Sequence, residues 1–230
     1  MNAAIIVAAG KGTRMGTNVG KMFLELAGRP VIAHAWERFD RSPAIDRIVL
    51  VVREGLQSTF AELGAQYGFR KPFCFAAGGS ERQDSVWNGL EALPREATYV
   101  AIHDGARPLV TEEIILATLR AARECGAAVA AQPVTDTIKE SADGKTIGRH
   151  LDRSRLWAVQ TPQTFQVDII RRAIAAARQR GLSLTDDTAA CELIGQPVRL
   201  VPCSSPNPKL TVPADLAFAE SLMHAPGKTS

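Results

Sequence analysis

Ile5-Ile6-Val7-Ala8-Ala9-Gly10-Lys11-Gly12-Thr13-Arg14-Met15-Gly16 decides the fold, because an apolar β-branched run breaks directly into small residues and glycines. A run that is apolar at every position, rather than alternating, suits a strand buried on both faces. Glycines placed straight after it let backbone N–H groups approach an anion closely and supply the positive φ of a tight turn. The plain alternative is a strand-to-helix turn that binds nothing. Two familiar nucleotide loops do not fit. The dinucleotide fingerprint needs glycine at position 15, where Met15 stands, and no acidic residue closes the second strand. That disfavours an NAD(P)-binding Rossmann oxidoreductase. The Walker A pattern fails too, since no Gly-Lys-Ser/Thr follows at its spacing.

Working outward, similar Val- and Ile-rich runs recur at 47–52, 73–77, 99–103, 127–132 and 198–201. Helical patterns lie between them. Ile115, Leu119 and Ala122 share one stripe after the cap-like Thr111-Glu112-Glu113, and Val167, Ile170, Ile174 and Ala177 share another. Alternation of strand and helix predicts an α/β, Rossmann-like fold: a mostly parallel twisted sheet with helices on both faces. No repeat or low-complexity linker interrupts the chain, so 1–230 is expected to form a single domain.

The polar stretch 136–155 departs from this pattern. Asp143-Gly144 between Thr137-Ile138-Lys139 and Thr146-Ile147 predicts a β-hairpin with too little apolar surface to stand alone. Two readings are open: an arm that pairs with a second subunit, or a solvated surface hairpin.

Composition narrows the function classes. Over 230 residues, 46% are hydrophobic and 22% charged, which excludes wholesale disorder. Lys plus Arg number 27 against 24 Asp plus Glu, a net charge of +3, and the longest cationic runs are pairs such as Arg171-Arg172. Neither a nucleic acid nor a membrane surface is an expected partner. The first residues lack a basic n-region and break at Gly10, so they read as neither a signal peptide nor a span. Cys74, Cys125, Cys191 and Cys203 are widely spaced, without disulfide or metal patterning, and a reduced, cytoplasmic setting is expected. His34, His103, His150 and His224 form no metal or triad spacing.

Arg14 and Lys21 give the glycine loop a chemistry. Both cations follow the turn where backbone donors would cradle a polyphosphate; Arg can fork two phosphate oxygens and Lys supplies a compact charge. Ala8-Ala9-Gly10-x-Gly12-x-Arg14-Met15 with Lys21 resembles the nucleotidyltransferases that activate sugar or polyol phosphates with CTP or UTP. Three further stretches are 78–86 (Gly-Gly-Ser-Glu-Arg-Gln-Asp-Ser-Val), 103–108 (His-Asp-Gly-Ala-Arg-Pro) and Thr161-Pro162-Gln163. Together they narrow the resemblance to the 2-C-methyl-D-erythritol 4-phosphate cytidylyltransferase family of the non-mevalonate isoprenoid pathway, over nearly the whole chain. Two departures flank Lys21: Gly20 where the family usually has Pro, and Met22 where it usually has Gln.

The resemblance implies transfer of CMP from CTP to a polyol phosphate, with Mg²⁺ and a homodimer joined through the arm. It implies catalytic roles for Arg14, Lys21, Arg153 and Lys209, and nucleotide contacts from Ala8, Ala9, Gly10, Gly12, Gly79, Ser80, Ser85 and Asp104. Ala106, Arg107, Thr137, Thr161 and Thr185 would line the acceptor site, Thr137 and Arg153 coming from the partner subunit. Asp104 could hold Mg²⁺ directly or through water, or contact ribose and substrate hydroxyls. Rival readings are a ribitol-5-phosphate cytidylyltransferase, the NAD(P)-dependent oxidoreductase, and a nucleotide-binding module without activity.

Overall fold

The computed structural model describes residues 1–10 and 20–224. After β1 (Asn2–Val7), the short strands β2 (Glu25–Leu26) and β3 (Arg29–Pro30) pair antiparallel, and α1 (Val31–Arg41) follows. Then come β4 (Arg47–Val52), α2 (Gln57–Gln66), β5 (Phe73–Ala77), α3 (Arg82–Glu91), β6 (Tyr99–Asp104), α4 (Glu112–Cys125) and β7 (Ala127–Pro133). The remaining elements are β8 (Lys139–Glu140), β9 (Arg149–His150), β10 (Trp157–Gln166), α5 (Val167–Gln179), α6 (Asp187–Glu192), β11 (Arg199–Pro202) and α7 (Pro213–His224).

Seven strands form one sheet in the order β11-β7-β10-β6-β1-β4-β5. Every expected apolar run is a strand, and all pair parallel except where β10 enters. That strand lies antiparallel between β6 and β7, with a register shift between Val159 and Gln163 where the Thr161–Pro162 peptide is cis. The sequence argues against a strand here, since half of 157–166 is polar and the segment carries a central proline. Two flanking strands and the bulge accommodate it.

Helices cover both faces. On one, Ile6 and Leu50 pack with Trp36 and Phe39 of α1, Phe60 of α2, and Ile115 and Leu119 of α4. On the other, Ile5, Val49 and Ile102 pack with Val86 and Leu90 of α3 and with Ile170 and Ile174 of α5. Ile5 and Ile6, neighbours in sequence, are therefore both fully buried on opposite faces, each contributing roughly 1.5–3 kcal/mol. The Thr111 side chain caps α4 by accepting from the Ile114 N–H, and Gly126 ends that helix at φ 88°.

The hairpin forms with a different second strand. β8 and β9 pair Lys139 with His150 and Glu140 with Arg149, leaving Thr146-Ile147 in the connecting loop. Asp143 takes those residues out of the ladder: its Oδ1 accepts from the N–H groups of Lys145 and Thr146, and its Oδ2 from the Thr146 hydroxyl. Residues 139–150 are exposed throughout.

Candidate active site

β1, β4, β5 and β6 all end at one edge, the carboxyl edge where open α/β sheets bind ligands. Backbone bonds tie these ends together: Ala8 N–H to Val51 O, Gly78 N–H to Val52 O and Gly105 N–H to Val7 O, at 2.8, 2.8 and 2.9 Å. Above them opens a cleft of about 440 Å³, lined by Ala9, Gly10, Lys21, Arg53, Gly79, Ser80, Ser85, Asp104, Ala106 and Lys209 among others.

The β5–α3 turn is packed too tightly for side chains. A Cβ at Gly78 would sit 2.3 Å from Ala9 Cβ, and one at Gly79 2.2 Å from Asp84 Cβ. Glu81 and Asp84 form a reciprocal capping box at the start of α3, which fixes the turn. Ser85, buried one position further on, accepts from the Gly79 N–H and donates to Glu81 O. This turn and the strand ends beside it form a wall of backbone groups.

Asp104, the last residue of β6, is the electrostatic centre. Lys209 Nζ lies 2.6 Å from its Oδ2, and Arg82 Nε donates to its Oδ1 at 3.0 Å. The same Arg82 forks onto Asp187 through Nη1 and Nη2, both at 2.9 Å. Burial alone would raise the Asp104 carboxyl, but Arg82 and then Lys209 outweigh it and hold it well below the usual carboxylate range. His103 behaves oppositely. Burial pushes its imidazole down to about 4, so at neutral pH it is an uncharged hydrogen-bonding part. Its Nε2 faces Arg107 O at 3.1 Å and its Nδ1 faces the Thr161 hydroxyl at 3.0 Å, and that hydroxyl accepts from the Asp104 N–H.

A second cavity of about 130 Å³ adjoins the cleft. It is lined by Arg107, Gln160, Thr161, Gln163, Thr185 and Asp186, and shares Arg82, Asp104 and Lys209 with the first. Arg107 Nη1 donates to Asn207 O and Asn207 Nδ2 to Thr161 O, which pins the segment before Lys209 against β10.

Most of the expected residues meet here. Ala9, Gly10, Lys21, Gly79, Ser80, Ser85 and Ala106 line the cleft, Arg107, Thr161 and Thr185 the second cavity, and Asp104 and Lys209 both. Ala8 is buried beneath, its N–H bound to Val51 O, and does not line the cleft. Gly12 and Arg14 lie outside the described residues. Thr137 and Arg153, on the arm, line neither cavity of their own chain; Arg153 Nη1 donates to Thr135 O. Arg82 and Asp187 had no role in the sequence reading, although Arg82 stands in one of the quoted stretches. Their contact spans 105 positions, so spacing gave no signal for it. Among the described residues no three His, Cys, Asp or Glu side chains group to hold a metal.

The family model for IspD, 2-C-methyl-D-erythritol 4-phosphate cytidylyltransferase, matches residues 2–225. A 2-C-methyl-D-erythritol 4-phosphate cytidylyltransferase from Pelotomaculum thermopropionicum is 44% identical over 224 residues, 97% of this chain and 94% of its own. A bifunctional enzyme IspD/IspF from Desulforudis audaxviator is 47% identical over 96% of this chain, which spans only 56% of that relative's length. Among solved structures, the 4-diphosphocytidyl-2C-methyl-D-erythritol synthase from Anaerococcus prevotii superposes with a TM-score of 0.87 at 28% identity, covering 97% of this chain and 96% of its own. The 2-C-methyl-D-erythritol 4-phosphate cytidylyltransferase from Thermus thermophilus gives 0.78 at 32% identity, covering 95% and 97%.

Proposed function

The chain belongs to the 2-C-methyl-D-erythritol 4-phosphate cytidylyltransferase family, and from that premise we propose that it transfers CMP from CTP to 2-C-methyl-D-erythritol 4-phosphate in isoprenoid precursor synthesis. The observation that carries this reading is the centre formed by Arg82, Asp104 and Lys209, common to a nucleotide-sized cleft and a smaller polar cavity. A donor in one and an acceptor in the other would meet there.

An acceptor phosphate oxygen attacks the α-phosphorus. The new P–O bond forms as the bond to the β-phosphate oxygen breaks, and that electron pair leaves with pyrophosphate. The attacking monoester is already an anion at neutral pH, so no general base is required. The neutral, buried His103 fits that expectation. The chemistry needs charge neutralisation and in-line placement instead. Lys21 lines the nucleotide side, and with Arg14 it is assigned the charge that builds on the α-phosphorus. Lys209 is assigned the acceptor phosphate, being anchored to Asp104 at the junction.

Mg²⁺ accompanies the nucleotide in this proposal. Asp104, the carboxylate common to both cavities, would suit an ion that takes most of its ligands from phosphate and water, and when bound the ion would neutralise triphosphate charge. The homodimer is likewise proposed, with Arg153 and Thr137 reaching a partner's acceptor cavity; their placement on an exposed arm, away from their own cavities, supports it. A cytoplasmic setting is part of the same proposal. Among the described residues no helix is long and apolar enough to cross a membrane.

The test is pyrophosphate release by the purified protein given CTP, Mg²⁺ and either 2-C-methyl-D-erythritol 4-phosphate or ribitol 5-phosphate. Turnover with the former is expected; turnover with ribitol 5-phosphate alone would move the chain to a different acceptor.

A further inference from the structure

We propose that Arg53 grips the β- and γ-phosphates of the bound triphosphate and holds pyrophosphate as it departs, and that Gly20 exists to make room for it. The inference rests on the CTP-dependent reaction proposed above and adds a residue to it.

Arg53 follows directly after β4 at the carboxyl edge and lines the cleft together with Gly10, Lys21 and Gly79. Two of the other cations lining that cleft, Arg82 and Lys209, face Asp104. The Arg53 carbonyl accepts from the Leu56 N–H, but its guanidinium makes no hydrogen bond or ion pair with any described residue, and the segment 11–19 contains no Asp or Glu. Its planar guanidinium can fork two phosphate oxygens, which a leaving pyrophosphate presents.

Gly20 supplies the second observation. Its backbone stands at φ −56° and ψ 135°, a conformation open to any residue, proline included. Backbone freedom therefore does not explain the glycine. Space does: a Cβ at position 20 would lie 2.8 Å from Arg53 Nη2, with the next contact, Phe23 Cδ2, at 3.8 Å. The missing side chain leaves the guanidinium its present place against position 20, in the cleft that Lys21 also lines. As the α-phosphorus–oxygen bond breaks, negative charge grows on the pyrophosphate oxygen, and a cation already in place stabilises it without reorganisation.

The experiment compares wild type, Arg53→Met, Arg53→Lys, Gly20→Pro and the Gly20→Pro/Arg53→Met double variant. It measures KM for CTP, inhibition by pyrophosphate, KM for the polyol phosphate, and CTP binding by calorimetry. Arg53→Met is expected to weaken CTP and pyrophosphate about 10-fold or more, with the acceptor KM unchanged, and Arg53→Lys to recover part of the loss. Gly20→Pro should reproduce that loss alone and add little to Arg53→Met. Pyrophosphate inhibition unchanged in Arg53→Met, or a full additional loss from Gly20→Pro in the double variant, would overturn the inference. Failure of wild type to turn over CTP with the polyol phosphate would instead defeat the reaction assigned above.

Discussion

The carboxyl edge of the sheet and the hairpin arm both carry cations assigned to one reaction, but they hold them differently. At the edge, Arg82 is fixed by two buried carboxylates and Lys209 by one of them. On the arm, Arg153 is exposed, and among the described residues its side chain donates only to the backbone carbonyl of Thr135. The edge charges paired with Asp104 and Asp187 are part of the fold, so removing one should disturb folding and function together. Charges on the arm are not, so removing one should separate the two. Stability is the quantity that exposes the difference.

The largest effect is expected from Arg82→Ala, which leaves Asp104 and Asp187 buried without their shared partner. A loss of about 3–5 kcal/mol in denaturant titration is expected, as for breaking a buried ion pair. A loss below about 1 kcal/mol would mean that the edge is no more integral than the arm.

Acid should find the same weakness next. His103 has its folded-state pKa lowered from 6.5 to about 4, so the unfolded chain binds the proton first. Its contribution is intact above about 6.5 and erodes as pH falls toward 4, a loss on the order of 2–3 kcal/mol. Denaturant titrations at pH 7 and pH 4.5 on wild type and His103→Gln would measure this; the variant should show the shallower decline. Gly79→Ala ranks third, since its Cβ would meet Asp84 Cβ at 2.2 Å, and about 1–3 kcal/mol of overpacking is expected in thermal melts.

Arg153→Ala is the opposite pole. Its stability should stay within about 0.5 kcal/mol of wild type while turnover falls. Mixing Arg153→Ala with Lys21→Ala subunits should restore part of the activity if the arm serves the partner's site. Absence of any recovery would place Arg153 in its own chain's chemistry.

Legibility in the sequence followed the same division. Parallel strands were readable because burial on both faces demands unbroken apolar runs, and the glycine turns because backbone must approach closely there. β10 was not, because its stability comes from flanking strands rather than from its own polar residues and proline. Within the arm the Asp143-Gly144 turn was visible, but Asp143 captures Thr146 and moves the second strand to Arg149–His150. Ala9, Gly10, Gly79, Ser80 and Ala106 assembled in the cleft because each follows a strand end, whereas Lys21, Ser85 and Lys209 reach it from turns and a helix. The Arg82–Asp187 fork stayed hidden because it joins two helix starts far apart in the chain.

The reversal at β10 has a further consequence. β7 leaves the sheet at Pro133 and β10 re-enters opposite it at Trp157, with the Val134 N–H closing the base onto Leu156 O. An antiparallel strand in that slot makes the excursion begin and end beside the reacting groups, with its stem already clamped. Lengthening, shortening or exchanging the segment between those clamps would cost little closure entropy and leave the register of the seven-stranded sheet in place. The arm is thus a replaceable module, and relatives can vary its reach without rebuilding the chemistry it borders.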